Sequence, residues 1–204
     1  MSSAPTASAP VPYREIYDRV IARHPGYNDA TTSPGYRALF RAFDRLRGTS
    51  GPALDVGCGV GFAVQAMERH LGLESYGADV SETAVARARE RLGAPHRVAL
   101  IESGRIPFAD ALFGLVTCFD VLEHLEVSDI HVLLAELRRL LRPRGLLCLT
   151  IATRGSSSAD HLGVNLHRTV QDAAWWRAVL KPDELVWDCR SDELLAFWTK
   201  PPAT

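Results

Sequence analysis

Three glycines and one aspartate are spaced so that they could bind a nucleoside. Gly57, Gly59 and Gly61 follow the short apolar segment 53–56, and Asp79 ends the next apolar segment. Glycines permit a tight turn and leave no Cβ in the way of a ligand, while the acid can accept hydrogen bonds from two ribose hydroxyls. The alternative is a turn whose glycines serve only the backbone angles, but an acid at this distance favours binding. The pattern therefore predicts a site for an adenosine-containing cofactor.

The spacing of the glycines argues against a nicotinamide dinucleotide. The order Gly-x-Gly-x-Gly departs from the dinucleotide fingerprint. No Tyr-x-x-x-Lys pair is present for hydride chemistry, and the two lysines of the chain are Lys181 and Lys200. A dinucleotide also needs a second mononucleotide-binding half, and no second glycine turn follows. We therefore expect a different nucleoside cofactor.

Four motifs follow one another along the chain. They are the glycine segment Leu54–Gly61, the Gly-x-Asp segment Gly77–Asp79, the Pro-Phe segment Ile106–Phe108 and the Asp-Val-Leu-Glu-His segment Phe119–Leu125. In this order they resemble the class I S-adenosylmethionine-dependent methyltransferases, specifically their small-molecule group (methyltransferase-domain 11/25-like), over roughly residues 52–201. The resemblance implies S-adenosylmethionine as cofactor and S-adenosylhomocysteine as product.

The resemblance also implies a set of cofactor-binding residues within these motifs or directly after predicted strands: Asp55, Gly57, Cys58, Gly59, Gly61, Asp79, Val80, Glu102, Ser103 and Phe119. The glycine turn would line the methionine part, and Asp79 would bind the ribose. Val80 would flank the adenine, whose amine and ring nitrogen would meet Glu102 and Ser103. Phe119 would lie under the methionine arm. Glu102 stands where an aspartate is more common.

Three histidines are candidates for the base that a hydroxyl or ammonium acceptor requires. Methyl transfer from a sulfonium is an in-line displacement, which needs alignment, exclusion of water and removal of a proton. Histidine is the natural base at neutral pH. His124 comes directly after the fourth predicted strand, and His161 and His167 lie in the loop after the fifth. Each could instead be a structural or surface histidine, but we expect at least one to face the acceptor.

The same region offers a metal-assisted alternative. Asp120, Glu123 and His124, completed by His161 or His167, resemble the acid and histidine arrangement of ubiquinone-pathway O-methyltransferases and small-RNA 2′-O-methyltransferases. Such a metal would hold two acceptor oxygens and lower the pKa of a hydroxyl. The motif is also widespread in relatives that use no metal, and Glu123 is favourable at a helix start through its charge alone. We therefore assign no metal ligand and keep metal-assisted O-methylation as an alternative.

Alternating apolar segments indicate the elements that position these residues. Predicted strands span 53–56, 74–78, 97–101, 115–119 and 146–151, predicted helices span 60–70, 82–91, 129–141 and 172–180, and two short strands span 185–189 and 194–198. The last two strands are close enough to form a hairpin. We predict an α/β fold of the Rossmann-like, doubly wound type. It has a mostly parallel seven-stranded sheet with an antiparallel C-terminal hairpin strand and helices on both faces.

Length and composition favour one catalytic domain. The chain has 204 residues, of which 47% are hydrophobic, enough for one substantial core. We expect residues 1–12 to be a flexible tail without signal-peptide character, 13–48 a helical lid, and 49–204 the S-adenosylmethionine-binding methyltransferase domain. Four tyrosines of the predicted lid are candidates for cofactor or acceptor contacts: Tyr13, Tyr17, Tyr27 and Tyr36. Of these we assign Tyr17 to the cofactor.

Charge and composition bear on partners. The net charge of −1 gives no general attraction to nucleic acid or anionic membrane, and the residues after the fourth strand lack the Asn/Asp-Pro-Pro-aromatic signature of base methylation. We expect a cytoplasmic enzyme that methylates an oxygen or nitrogen of a small-molecule metabolite with the help of a histidine, and neither nucleic acid nor membrane as partner. The alternative from another class is a non-catalytic, cofactor-binding partner or regulatory protein. The oligomeric state stays open.

Overall fold

A seven-stranded sheet lies at the centre of the molecule. The computed structural model describes residues 13–23, 25–156, 165–188 and 190–203. Its strands are β1 Ala53–Val56, β2 Ser75–Asp79, β3 Val98–Leu100, β4 Phe113–Phe119, β5 Leu141–Ala152, β6 Glu184–Asp188 and β7 Glu193–Thr199. Their order in the sheet is β3-β2-β1-β4-β5-β7-β6. Only β7 runs opposite to the other described strands, so the predicted mixed sheet with its C-terminal hairpin is confirmed.

Helices cover both faces of this sheet. They are α1 Tyr13–Arg23, α2 Pro34–Leu46, α3 Phe62–Leu71, α4 Glu82–Leu92, α5 Val127–Leu140 and α6 Ala173–Leu180. Alternate residues of β4 point to opposite faces: Leu115 packs with α2 and α3, whereas Val116 packs with α5 and α6. All residues of β1 and β4 are buried, as expected of strands that are covered on both faces. No helix within the described ranges is long and apolar enough to cross a bilayer.

The fifth strand is longer than its apolar segment predicts. It begins at Leu141, which pairs with Phe113, and the regular register resumes with Leu146 opposite Leu115. The residues between them interrupt the regular register, and Arg144 among them has a φ of 62°. Like a β-bulge, this irregularity adds residues to one strand without ending the ladder. The segment that was predicted only to separate a helix from a strand therefore belongs to β5.

The chain before β1 crosses closely over the start of β4 at Gly114. The Gly114 N–H donates to the Pro52 carbonyl at 2.9 Å. Arg142 fixes the same crossing, because its guanidinium donates to the Ser50 carbonyl at 2.8 Å. A Cβ at position 114 would stand only 1.9 Å from that Ser50 oxygen. Only glycine fits at this position.

Candidate active site

A cavity of about 810 Å³ opens at the carboxyl ends of β1, β2, β4 and β5. Its volume is in the range of small-molecule sites, and its place is the one where α/β sheets bind ligands. Tyr13, Tyr17 and Ile21 of α1 line one side, and Tyr27 lines it from the segment between α1 and α2. Tyr36, also a candidate from the sequence, does not line the cavity and packs against Phe40 instead.

The glycine turn after β1 is held by hydrogen bonds to β2. The N–H groups of Gly57 and Cys58 both donate to the Ala78 carbonyl, at 2.8 and 3.1 Å. Gly57 has a φ of 75°, and a Cβ there would stand 2.3 Å from a methyl carbon of Val121. At Gly59 a Cβ would meet no atom within 4 Å. The turn is thus tightly packed on one side and open at Gly59, which lines the cavity.

Asp79 ends β2 with its carboxylate at the cavity wall. Its Oδ1 accepts the N–H of Ser81 at 2.9 Å and its Oδ2 accepts the N–H of Gly59 at 2.8 Å. Burial raises the pKa of Asp79, and these backbone hydrogen bonds act in the opposite direction. Each carboxylate oxygen has a second lone pair, so Asp79 can still accept hydrogen bonds from a bound diol.

A second carboxyl lies beneath the glycine turn. Asp55 is buried and accepts the hydroxyl of Thr117 at 2.7 Å. Burial raises its pKa to about 7, although the Thr117 hydrogen bond lowers it. Asp55 lines the cavity, so a cation placed there would stabilise its ionised form.

Most residues predicted to bind the cofactor line this cavity: Tyr17, Asp55, Gly57, Cys58, Gly59, Asp79, Val80, Ser103 and Phe119. Gly61 and Glu102 do not. Gly61 precedes α3, and a Cβ there would lie 3.2 Å from the Cβ of Ala88, so it serves the packing of α3 on α4. The Glu102 side chain is 72% exposed and lies 3.9 Å from Arg14.

Two of the three candidate histidines lie side by side at the other end of the cavity. The ring centroids of His124 and His167 are 4.6 Å apart at an interplanar angle of 85°. The Nδ1–H of His124 donates to the Leu166 carbonyl at 2.9 Å, and that of His167 donates to the Arg154 carbonyl at 2.6 Å. Because a carbonyl can only accept, each Nε2 is left with its lone pair. His161 lies outside the described residues.

Burial decides the charge of both rings. It lowers the pKa of His124 to about 4, with a smaller contribution from His167, and it also lowers the pKa of His167. Both imidazoles are therefore neutral at pH 7. Tyr17 of α1 meets the His124 ring edge-on, with centroids 5.7 Å apart. The two rings therefore carry one unprotonated Nε2 each, and α1 packs against the ring of His124.

Glu123 completes a three-residue cluster with these histidines. It is fully buried, and its Oε1 accepts the Ala152 N–H at 2.9 Å. Its Oε2 is buried and has no hydrogen-bond partner, and burial raises the pKa of Glu123 well above its usual range. One ligand atom each from Glu123, His124 and His167 lie within 4.8 Å of one another. A buried carboxylate oxygen without a partner is uncommon and indicates a place for a further group.

Asp120 does not join this cluster, contrary to the metal arrangement considered from the sequence. Its backbone has a φ of 53°, and its N–H donates to both the carbonyl and the hydroxyl oxygen of Thr150. The Thr150 hydroxyl in turn donates to the Asp120 carboxylate at 2.8 Å. These hydrogen bonds fasten Asp120 to β5 and leave Glu123 as the acid beside the histidines.

Two hydrogen-bonded contacts fasten α1 beside the cavity. The Tyr13 hydroxyl donates to Asp129 at 2.7 Å and accepts the Glu126 N–H at 3.0 Å, both at the start of α5. Asp18 accepts the Ser81 hydroxyl at 2.6 Å and the Thr83 N–H at 3.0 Å at the start of α4. Acidic side chains are favourable at helix starts. The helix therefore connects α4 with α5 along the cavity.

Arg154 is a cavity residue that the sequence analysis missed. It lies two residues after the end of β5, lines the cavity and accepts the Nδ1–H of His167 with its carbonyl. A charged residue just beyond the carboxyl end of a strand was the available signal. The sequence could not show which way its side chain points.

The comparisons with known proteins agree with this geometry. A protein-family model described as a methyltransferase domain matches residues 54–149. Methyltransferase GfsG of Streptomyces halstedii is 32% identical over 139 residues, which are 65% of this chain and 49% of that protein. The ubiquinone biosynthesis O-methyltransferase of Neisseria meningitidis serogroup A is 29% identical over 157 residues, 72% of this chain and 65% of that protein.

The fold also has a close match among solved structures. The PH0226 protein of Pyrococcus horikoshii superposes with a TM-score of 0.72 at 18% identity, covering 90% of this chain and 98% of that one. This likeness concerns the fold alone. The chain spans between 33% and 56% of the length of the first three related sequences. The domain match over residues 54–149, the ordered motifs and the sheet order together support a class I S-adenosylmethionine-dependent methyltransferase.

Proposed function

We propose that this protein binds S-adenosylmethionine in the cavity and transfers its methyl group to an oxygen or nitrogen of a small-molecule metabolite. One observation carries the proposal. At one end of the cavity lie Asp79 and Gly59 of the glycine turn. At the other end lie His124 and His167, two neutral histidines whose Nε2 atoms are available. Nucleoside binding and proton removal are the two functions that such methyl transfer requires.

The residues present fit the cofactor. Asp79 offers acceptor lone pairs to the ribose hydroxyls, and Val80 and Ser103 line the cavity beside it for the adenine. Gly59 leaves open space where a side chain would block the ligand. Asp55 offers a buried carboxyl to the ammonium group of the methionine part, a cation that offsets its burial.

When bound, the cofactor supplies a methyl group activated by the positive charge on its sulfur. The protein holds the cofactor, encloses the reacting groups and removes a proton from the acceptor. We propose that residues 13–48 form the lid, in which Tyr13 and Tyr17 exclude water. The Nε2 of His124 or His167 takes the proton from the methyl acceptor. The hydrogen bond from each Nδ1–H to a backbone carbonyl keeps the ring oriented. The proposal includes a cytoplasmic location and an acceptor that is neither nucleic acid nor membrane lipid.

A calorimetric titration of the full chain tests the cofactor. We expect S-adenosylmethionine and S-adenosylhomocysteine to bind with dissociation constants of about micromolar order, and NADH not to bind. Release of S-adenosylhomocysteine in the presence of small hydroxyl and amine acceptors then tests turnover. Folded protein that binds neither sulfur nucleoside would contradict the proposal. Binding with no turnover across a broad acceptor panel would favour the non-catalytic partner protein.

A metal-assisted O-methyltransferase is the second candidate, favoured by the unpartnered Oε2 of Glu123. Two neutral histidines and one carboxylate suit a divalent transition metal, and each histidine already donates its other nitrogen to a carbonyl, as metal-binding histidines do. Glu123, His124 and His167 would hold the ion. It would act as a Lewis acid that binds acceptor oxygens and lowers the pKa of a hydroxyl.

We expect His167→Ala to separate these two candidates. If a metal binds, the variant should lose more than about 10-fold in Co²⁺ affinity, measured by calorimetry and by the visible spectrum of bound Co²⁺. His131→Ala is the matched control, because His131 is exposed on α5 away from the cluster. A wild-type protein that binds no Co²⁺, Zn²⁺ or Mn²⁺ would leave the histidines as bases without a metal.

A further inference from the structure

The cavity carries positive charge at two separate places. Among its described lining residues, the permanently charged cations are Arg14 and Arg154. Arg14 belongs to the nucleoside end, where it pairs with Glu82 at 2.9 Å and donates to the Ile101 carbonyl at 3.4 Å. Arg154 belongs to the opposite end, because its carbonyl accepts the Nδ1–H of His167. Arg154 is therefore the arginine beside the candidate base.

The Arg154 guanidinium forms few hydrogen bonds with the described residues. Its one side-chain contact among them is with Glu193 Oε1 at 3.5 Å, at the long limit of a hydrogen bond. The other oxygen of Glu193 is in a short contact with Arg41, so one carboxylate serves two guanidinium groups. The Arg154 side chain is 48% exposed. A guanidinium has five N–H donors, and most of these have no partner among the residues that the structure describes.

Other charged groups near Arg154 do not prevent its guanidinium from binding an anion. Asp120 is the further acid close to it, and burial raises the Asp120 pKa while Glu193 raises it further. The charges of Arg41 and Arg154 act in the opposite direction on that carboxyl. The Asp120 carboxylate is already bonded to Thr150. No described acid therefore forms a close, two-point pair with Arg154.

We propose that Arg154 binds an anionic group of the methyl acceptor, a carboxylate or a phosphate, and thereby directs the acceptor's nucleophilic atom toward His167. A planar guanidinium binds such groups through two parallel hydrogen bonds, which fix orientation as well as position. This inference rests on the proposed function, since it names the acceptor class for the same cavity. The other source of the same chemistry is the methionine carboxylate of the cofactor, which the experiment must distinguish.

The experiment measures binding to the full chain saturated with S-adenosylhomocysteine. Calorimetric titrations compare matched probes: 3,4-dihydroxybenzoate with catechol, and phosphoethanolamine with ethanolamine. In at least one pair, we expect the member with the carboxylate or phosphate to bind about 10-fold more tightly than the member without it. Arg154→Gln should abolish that preference and Arg154→Lys should retain only part of it. Arg41→Gln is the matched control, because it removes a charge from the same Glu193 without lining the cavity, and it should keep the preference.

Different results of these titrations would contradict the inference, its assignment to the acceptor, or the proposed function. Equal affinity within both pairs, or no binding of either anionic probe, would overturn the inference. If Arg154→Gln weakens S-adenosylhomocysteine but not methylthioadenosine, which lacks the amino acid part, then Arg154 binds the cofactor's carboxylate and the acceptor assignment is wrong. Wild-type protein that fails to bind S-adenosylhomocysteine would instead contradict the proposed function itself.

Discussion

Replacing Asp79 by alanine is expected to weaken the binding of S-adenosylhomocysteine by about 100-fold or more. In the proposed complex the carboxylate accepts two ribose hydroxyls, and a hydrogen bond to a charged group contributes about 1.5–3 kcal/mol. Two such bonds correspond to at least about 3 kcal/mol, and each 1.4 kcal/mol is a factor of ten in affinity. Calorimetry of the purified variant measures the loss directly.

This variant needs a stability control, because Asp79 also accepts the N–H groups of Gly59 and Ser81. Losing both acceptors leaves these two donors, of which the Ser81 N–H is buried, without their partner, so thermal unfolding must show that the variant is folded at the titration temperature. Glu90→Ala is the matched control, since Glu90 is an exposed acid on α4. A folded Asp79→Ala protein whose affinity lies within a few-fold of wild type would contradict the placement of the ribose.

Replacing Gly114 by alanine is expected to lower the free energy of unfolding by about 3 kcal/mol or more. The new Cβ would stand 1.9 Å from the Ser50 carbonyl oxygen, and the obstacle is backbone rather than a flexible side chain. Relief requires the crossing chain to move away, which would break the Gly114 hydrogen bond to Pro52. Overpacking of this kind costs about 1–3 kcal/mol and occasionally more. Chemical denaturation gives the difference.

Gly48→Ala is the corresponding control for the alanine side chain. Gly48 also lies before β1, but a Cβ there would meet no atom within 4 Å. We expect its unfolding midpoint to stay close to that of wild type. Equal stability of the two variants would contradict the close approach of the Ser50 carbonyl to Gly114.

Local motifs made the fold predictable, together with the side of the cavity that the glycine turn and Asp79 line. The glycine turn and Asp79 are joined by hydrogen bonds between neighbouring strands, and both the spacing and the residue types are visible along the chain. Gly61 shows the limit of such reasoning. The same glycine pattern contains two residues that line the cavity and one that serves helix packing, and spacing alone does not separate them.

The side of the cavity that carries the histidines was less predictable, because long-range backbone contacts assemble it. The segment that carries His167 contacts the turn after β4 through the N–H groups of Arg168 and Thr169, which both donate to the Glu123 carbonyl. Any residue type can make such contacts, so the sequence could not choose between His161 and His167 as the partner of His124. The same reason hid Arg154, whose environment depends on Glu193 of the paired strand β7.

If the protein has the proposed function, the fastening of α1 has a consequence for turnover. Tyr13 and Asp18 connect this helix to α5 and α4, and Asp18 shares Ser81 with the carboxylate of Asp79. A ligand enclosed beside α1 gains residence time from every hydrogen bond that must open before it leaves. A tighter attachment of α1 would therefore raise the affinity for ligands but slow the catalytic cycle. It would retain the product as firmly as the substrate, and product release rather than methyl transfer would become the slowest step.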